Sequence, residues 1–335
     1  MMVVALNDQI VRLDSIADHL GLQRRHGEPG FEDDAVRACV GRLAPIIRKA
    51  NPKTGEEIAA VLAKHFSIHF EEVRGPDDIV HLENTYLRQK RELGFAQLRD
   101  ELEDPHVDAL LFQRMRAQPH EHDRWVAVLN LQLTDAKVYW DRFHEITHRA
   151  AEPEQRVLPF RRHRVERTNP VERLIDQIAG EFAFYAPLFG PLVKAAHKRQ
   201  RLCVATVEDV KAAYAPSSSL LASMNAVGKY WPSPAKVVTA SMRGRKSDPT
   251  KDIALRITMQ TSGIAGSESR MFVIPNMRVP MSSPIYAAFF EKRRSEGLEN
   301  LGDWTTKSGK SLAAIPVFTS AIRLGSVVYG VISAQ

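Results

Sequence analysis

Five consecutive residues, His144-Glu145-Ile146-Thr147-His148, put two imidazoles and a carboxylate into a helix-compatible stretch, VYWDRFHEITHRA. On an α-helix, residues four apart share a face, so His144 and His148 can direct both rings at one ion. Imidazole suits Zn2+, and a zinc site that performs chemistry uses three protein ligands and keeps a fourth position for water or substrate. Glu145, one residue beyond His144, is expected on the open side of that site. There it can take a proton from water and return it to a leaving amine, while the metal lowers the pKa of the water and polarises a carbonyl. This is the chemistry of a metalloprotease. Chance alone gives the pattern in roughly three of a hundred chains with this histidine content, so the surrounding residues decide its meaning.

A third ligand is required. The metzincin extension needs glycine three residues after His148 and histidine six after it, where this chain has Ala151 and Glu154, so that arrangement is excluded. The following helical stretch, NPVERLIDQIAGEFAF, places Glu172 and Asp176 four apart on one face. Glu172 can complete the ligand set, and Asp176 can accept from the far nitrogen of a ligating histidine and fix its tautomer. His163 is the rival ligand, within the arginine-rich run RRHRVER. Tyr185 is a candidate donor to a tetrahedral transition state, against a packing role beside Phe182 and Phe184. The two cysteines, Cys39 and Cys203, stand alone, which excludes a disulfide framework, a CxxC redox motif and a cysteine zinc site. Cys39 is either a latent fourth ligand or, as its apolar helical surroundings favour, a small buried hydrophobe.

Elements must position these groups. Apolar spacing predicts helices over Asn7 to Leu20 and Asp33 to Lys49. Thr54 is predicted to cap a helix running to about Phe66, with Glu57 as its capping-box partner. A short strand is expected at Ile68 to Val73, a charged helix over Asp77 to Glu103, and strands at Asp108 to Met115 and Arg124 to Leu131. Helices follow at Ala136 to Ala150 and at Pro170 to Phe184, the second capped by Asn169. Two short helices, Thr206 to Tyr214 and Ser217 to Val227, suit a helix-turn-helix module, with Thr206, Ser217 and Ser218 as candidate caps. From Ala235 the texture changes to strands at Ile253 to Gln260, Arg270 to Ile274, Ala313 to Thr319 and Val327 to Ser333, with one helix at Pro284 to Ser295. The fold class is α+β, and no internal repeat is visible.

At 335 residues and 37.7 kDa the chain is long enough for two or three domains, and its 44% hydrophobic and 26% charged content excludes collagen-like, coiled-coil and low-complexity classes. No run approaches the about 18 apolar residues of a membrane span, and the N-terminus lacks a secretory pattern, so the expected location is cytoplasmic and no membrane partner is expected. Charge is divided unevenly. Residues 1–155 carry 20 Lys and Arg against 27 Asp and Glu, a net of −7; residues 156–335 carry 26 against 13, a net of +13. A basic half of that size attracts polyanions, nucleic acid foremost. Candidate phosphate contacts are Arg161, Arg162 and Arg164, then Lys198 and Arg199, then Arg243, Arg245 and Lys246, against the plainer role of solvated surface. Tyr230, Trp231 and Trp304 can stack on bases or fill core, core being favoured. Gly309-Lys310-Ser311 is no phosphate loop, because Trp304 occupies the position of its first glycine.

An HExxH helix preceded by the strand WVAVLN and followed some two dozen residues later by an E-x-x-x-D-x-x-A helix resembles the ImmA/IrrE family of zinc metallopeptidases from about Gly55 to Pro187. The resemblance implies that His144, His148 and Glu172 bind zinc, that Glu145 is the catalytic base, and that Asp176 and Ala179 belong to the family's helix pattern. It implies a zincin-like, mostly helical peptidase domain with a small sheet over 1–187. A helical module, with helix-turn-helix character, is expected over 188–234 and an α+β, GAF-like sensor domain over 235–335. The chain departs from the family where its helix ends in FAFYAP rather than Leu-Leu-Met-Pro. The family's substrates are small helix-turn-helix repressors in phage, phage-defence or DNA-damage stress responses. The expected function is therefore zinc-dependent cleavage of such a repressor, with single-stranded DNA as the leading trigger. The alternative is a DNA-binding antirepressor that holds its repressor stoichiometrically and uses zinc structurally; a third reading has a small molecule bound by the C-terminal domain.

Overall fold

The computed structural model describes residues 2–103, 107–115, 117, 123–131, 134–152, 160–163, 169–244, 251–263, 271–291, 293–305 and 311–334. The fold is α+β, and the backbone divides into two compact units, Met1–Ala186 and Pro187–Gln335. Among the described residues no helix is long and apolar enough to cross a membrane.

In the first unit three helices, α1 (Met2–Leu20), α2 (Phe31–Ala50) and α3 (Gly55–Phe66), precede strand β1 (Ile68–Val73). The cap of α3 forms as its sequence predicts: Thr54 Oγ1 accepts from the Glu57 N–H at 3.2 Å, although Glu57 Oε2 reaches back to Lys53 N, at 2.6 Å, rather than to Thr54. The chain then runs through α4 (Pro76–Leu82), a π-helical turn (Glu83–Gln89), a 3-10 turn (Leu93–Gln97) and α5 (Leu98–Glu103). The single charged helix expected across this stretch is broken. Arg91 takes a left-handed conformation (φ 55°), which a helix interior does not accept.

Strands β2 (Val107–Gln113), β3 (Trp125–Asn130) and β4 (Phe160–His163) complete a sheet ordered β1-β3-β2-β4, in which β1 and β3 are parallel and the other pairings antiparallel. The central strands β2 and β3 are buried along almost their whole length. On one face Leu110, Val126 and Val128 pack with Tyr86, Phe95 and Leu98 of the preceding turns. On the other, Ala109 and Leu129 meet Val138 of α6 (Asp135–Ala151). Helix α7 (Pro170–Ala183) then packs on α6, its first turn capped by Asn169 Oδ1 accepting from Val171 N at 2.9 Å.

The two helices run antiparallel. Tyr139, near the start of α6, donates to the Ala183 carbonyl at the end of α7 at 2.8 Å, while His148, near the end of α6, faces Glu172 in the first turn of α7. Gly55 seals the near end of this pair. A methyl there would run into Tyr139 Oη and lie 3.1 Å from the Ala183 carbonyl, so Gly55→Ala is expected to destabilise the fold by about 1–3 kcal/mol, read as a lower urea midpoint. A midpoint equal to the wild type's would mean that the contact relaxes without strain.

Among the described residues the second unit holds α8 (Ala186–Arg199, from Pro187 onward), α9 (Val204–Tyr214), α10 (Leu220–Tyr230), α11 (Pro284–Phe290) and five strands: β5 (Ala235–Arg243), β6 (Ala254–Ser262), β7 (Arg294–Asn300), β8 (Pro316–Leu324) and β9 (Val327–Ala334). The sheet is wholly antiparallel in the order β6-β5-β9-β8-β7. Val238, Val317, Val328 and Ile332 of its strands pack with Ile285 and Ala288 of α11, while α9 and α10 lie against the sheet as well.

Helix α8 opens the stretch 188–234 that the sequence marks as helical, with Gly190 and Pro191 in its interior. Several other expectations are corrected here. The observed caps are Cys203 for α9 and Ser219 for α10, in place of Thr206, Ser217 and Ser218. Residues 271–274 are not strand, α11 stops at Phe290, and Arg294–Asn300 is an edge strand whose alternating exposure follows the polar pattern RSEGLEN.

Candidate metal centre

His144 and His148 occupy successive turns of α6 and are 1% and 2% exposed. Their Nε2 atoms stand 3.1 Å apart, and Glu172 Oε2 of α7 lies 3.2 Å from the first and 3.4 Å from the second. Three ligand atoms at about 2.0–2.1 Å from a tetrahedral ion would be spaced by about 3.4 Å, so this triangle is the right size for one ion. His144, His148 and Glu172 are thus a group that can hold a metal.

The far side of each ring strengthens the fit. His144 Nδ1 lies 2.9 Å from Asp176 Oδ1, and His148 Nδ1 lies 2.8 Å from Glu152 Oε2. An ionised carboxylate only accepts, so each Nδ1 carries the hydrogen, and in the neutral ring Nε2 presents a lone pair. Two lone pairs and a carboxylate oxygen then converge, an arrangement that calls for a cation. A proton can bridge only two of the three atoms at once; a divalent ion serves all three.

The same carboxylates favour positive charge at this spot: burial would lower the pKa of His148, but the neighbouring Glu172 and Glu152 outweigh it and raise the value to about 10, so a metal ion binding here displaces a proton from Nε2 and takes over its charge. Burial alone would raise Glu172; the two histidines hold it well below the usual carboxylate range. Glu152 is likewise pulled down, against its burial, by His148 and Arg12. Asp176 is further fixed by Trp140 Nε1, which donates to its Oδ1 at 3.2 Å.

Glu145 is fully buried, rather than on an open side. Tyr185 is set apart from the centre. It follows α7, whose last residue, Ala183, is 11 positions beyond Glu172, or roughly 16 Å along the axis at the helical rise. Tyr185 is buried, which raises the pKa of its phenol, and the nearby Arg48 of α2 acts against that rise. Pro187, expected to close the preceding helix, lies in the first turn of α8.

Cys39 is 1% exposed and burial pushes its thiol up to about 12, which fits the hydrophobe reading. At pH 8 a thiol reagent such as Ellman's is expected to titrate Cys203 in the folded protein and Cys39 only after denaturation. Rapid reaction of two thiols in the native state would contradict that.

Among the basic candidates, Arg161 and Arg162 belong to β4, whose side chains, like that of His163, fall outside the described residues. Arg164, Arg245 and Lys246 also lie outside them, as do Gly309 and Lys310. Arg243 is exposed at the end of β5. Lys198 and Arg199, in the last turn of α8, are exposed and line a cleft of about 590 Å³ with Arg201, Trp231 and Phe318. Trp304 is fully buried and donates to Glu299 at 3.1 Å, and Trp231 packs edge-on against His197, so both tryptophans are core residues. Tyr230 is half-buried against Phe189.

Two members of the centre, Glu152 and Arg12, are absent from the residues singled out by sequence. Glu152 lies four residues after His148, the spacing that puts it under that ring, so its signal was present in the i, i+4 rule. Arg12 had no such signal, being 140 residues away in sequence from Glu152.

No protein-family model matches the chain, and no curated protein matches it. Among solved structures it is similar to a Mycobacterium tuberculosis transcriptional regulator at 13% sequence identity and a TM-score of 0.44, over 97% of this chain and 80% of that one.

Proposed function

We propose that the chain is a zinc-dependent endopeptidase that cuts a helix-turn-helix transcriptional repressor, with its basic second half deciding when. The observation that carries this reading is the convergence of His144 Nε2, His148 Nε2 and Glu172 Oε2, with each imidazole backed by a carboxylate. Structural zinc sites are closed by four protein ligands, whereas catalytic sites use three; the described residues bring three together.

Zinc bound there would supply a Lewis acid that polarises a peptide carbonyl and lowers the pKa of water. Glu145, next in sequence to a ligand, is the group assigned to take that water's proton and pass it to the leaving amine. Asp176 and Glu152 hold the two rings in the tautomer that frees each Nε2. The burial of Glu145, His144 and His148 supports a resting form that must open before a peptide enters, as suits a protease that must not cut indiscriminately.

The net charge of +13 over residues 156–335 and the exposed Lys198, Arg199 and Arg243 support single-stranded DNA as the trigger. The ImmA/IrrE resemblance of the HExxH and downstream glutamate helices supports a repressor as substrate. The test is to incubate zinc-loaded protein with small helix-turn-helix repressors, taken first from reading frames that neighbour its gene, with and without a single-stranded oligonucleotide at low and high salt. The expected result is a discrete cut that requires the oligonucleotide and fades as salt rises. An intact repressor that co-elutes with the protein would replace this reading by the stoichiometric antirepressor.

A further inference from the structure

Arg12, on the first helix, reaches into the metal centre. Its Nε donates to Glu152 Oε1 and its Nη2 to Glu152 Oε2, both at 2.9 Å, a two-point grip that fixes the plane of the carboxylate as well as its position. The same carboxylate receives His148 Nδ1 at 2.8 Å. Nη2 also stands 3.7 Å from Glu172 Oε1, the oxygen of the third donor that is not turned to the imidazoles. One guanidinium therefore stands behind two of the three donors.

Glu152 needs such a partner. Its side chain is 7% exposed, and it caps the C-terminal end of α6, where the helix dipole disfavours an anion. A carboxylate that is both buried and at the wrong end of a helix keeps its charge only beside a fixed cation. Lysine at position 12 could supply the charge but not the two parallel bonds.

We propose that Arg12 is a positioning residue of the metal centre: by holding Glu152 it sets the orientation and tautomer of His148, which makes the N-terminal helix part of the ion-binding machinery. The proposal rests on the metal-binding reading of His144, His148 and Glu172.

The test measures zinc affinity of the full chain by competition with a chromophoric chelator, for the wild type, Arg12→Gln, Arg12→Lys, Glu152→Gln and the Arg12→Gln/Glu152→Gln double variant. Arg12→Gln is expected to weaken zinc binding about 10-fold, in the range for outer partners of a metal ligand, and Arg12→Lys to recover only part of that. In the Glu152→Gln background, Arg12→Gln is expected to add less than about twofold, because its effect passes through Glu152. The visible spectrum of the cobalt-substituted protein should change in Arg12→Gln, a signature that loss of packing elsewhere would not produce. Far-ultraviolet circular dichroism reports folding; should Arg12→Gln fail to fold, wild-type affinity in Arg12→Lys overturns the proposal. Wild-type affinity in folded Arg12→Gln, or an equal loss in the Glu152→Gln background, overturns it alone. A wild-type chain that binds no zinc overturns the metal reading with it.

Discussion

Replacing Glu145 by Gln is expected to leave zinc binding intact and to slow peptide hydrolysis by about 10²–10⁴-fold, the range for losing a positioned general base. The substitution is nearly isosteric, which matters at a side chain with no exposure, and Glu145 is not among the three converging donors. Metal content by elemental analysis and the cleavage rate of a repressor substrate check the two halves independently. Retained zinc with retained cleavage would remove Glu145 from the reaction. Loss of zinc as well would make it part of the ion's surroundings and leave the base unassigned.

Glu172→Gln is expected to do the opposite, lowering zinc affinity by more than the 10–100-fold typical of outer partners. The carboxylate is the only anionic member of the triangle, and it faces two Nε2 atoms that stand 3.1 Å apart. Glutamine preserves the volume and leaves the Asn169 cap in place, since that cap is made to the backbone N–H groups of Val171 and Glu172. The fold should therefore survive while the site empties. Equal zinc affinity in Glu172→Gln would point to a different third ligand, and activity should fall in parallel with occupancy if the assignment holds.

Much of this centre was legible in local spacing. His144 with His148 on α6, and Glu172 with Asp176 on α7, each obey the helical i, i+4 relation, and the antiparallel pairing of those helices turns Asp176 to His144 and Glu172 to both rings. Glu152, the carboxylate that orients His148, obeys the same i, i+4 relation on α6. Spacing within one helix does not say which faces of other helices meet it, so the arginine that holds Glu152 has no local signal: it depends on α1 packing onto the end of α6, a contact between residues 140 positions apart. The burial of Glu145 was unreadable for the same reason.

The fold divided along similar lines. Strongly periodic helices and the strands Ile68–Val73 and Trp125–Asn130 were readable because their patterns are self-contained. Helix α8 keeps Gly190 and Pro191 in its interior, a local cost that its buried Phe189, Val193 and Ala196 offset through packing. The start of strand β7 reads as a continuation of the preceding helix because its sequence, RSEGLEN, has little strand character; only pairing along β8 specifies it.

The central claim is that one zinc ion sits on three protein atoms with a position left for substrate. Anomalous diffraction at the zinc edge from zinc-soaked crystals tests it most directly. The account predicts a single strong peak about 2.0–2.1 Å from His144 Nε2, His148 Nε2 and a Glu172 oxygen, with no fourth protein ligand. A peak elsewhere, or one closed by a fourth side chain, would contradict a catalytic centre here.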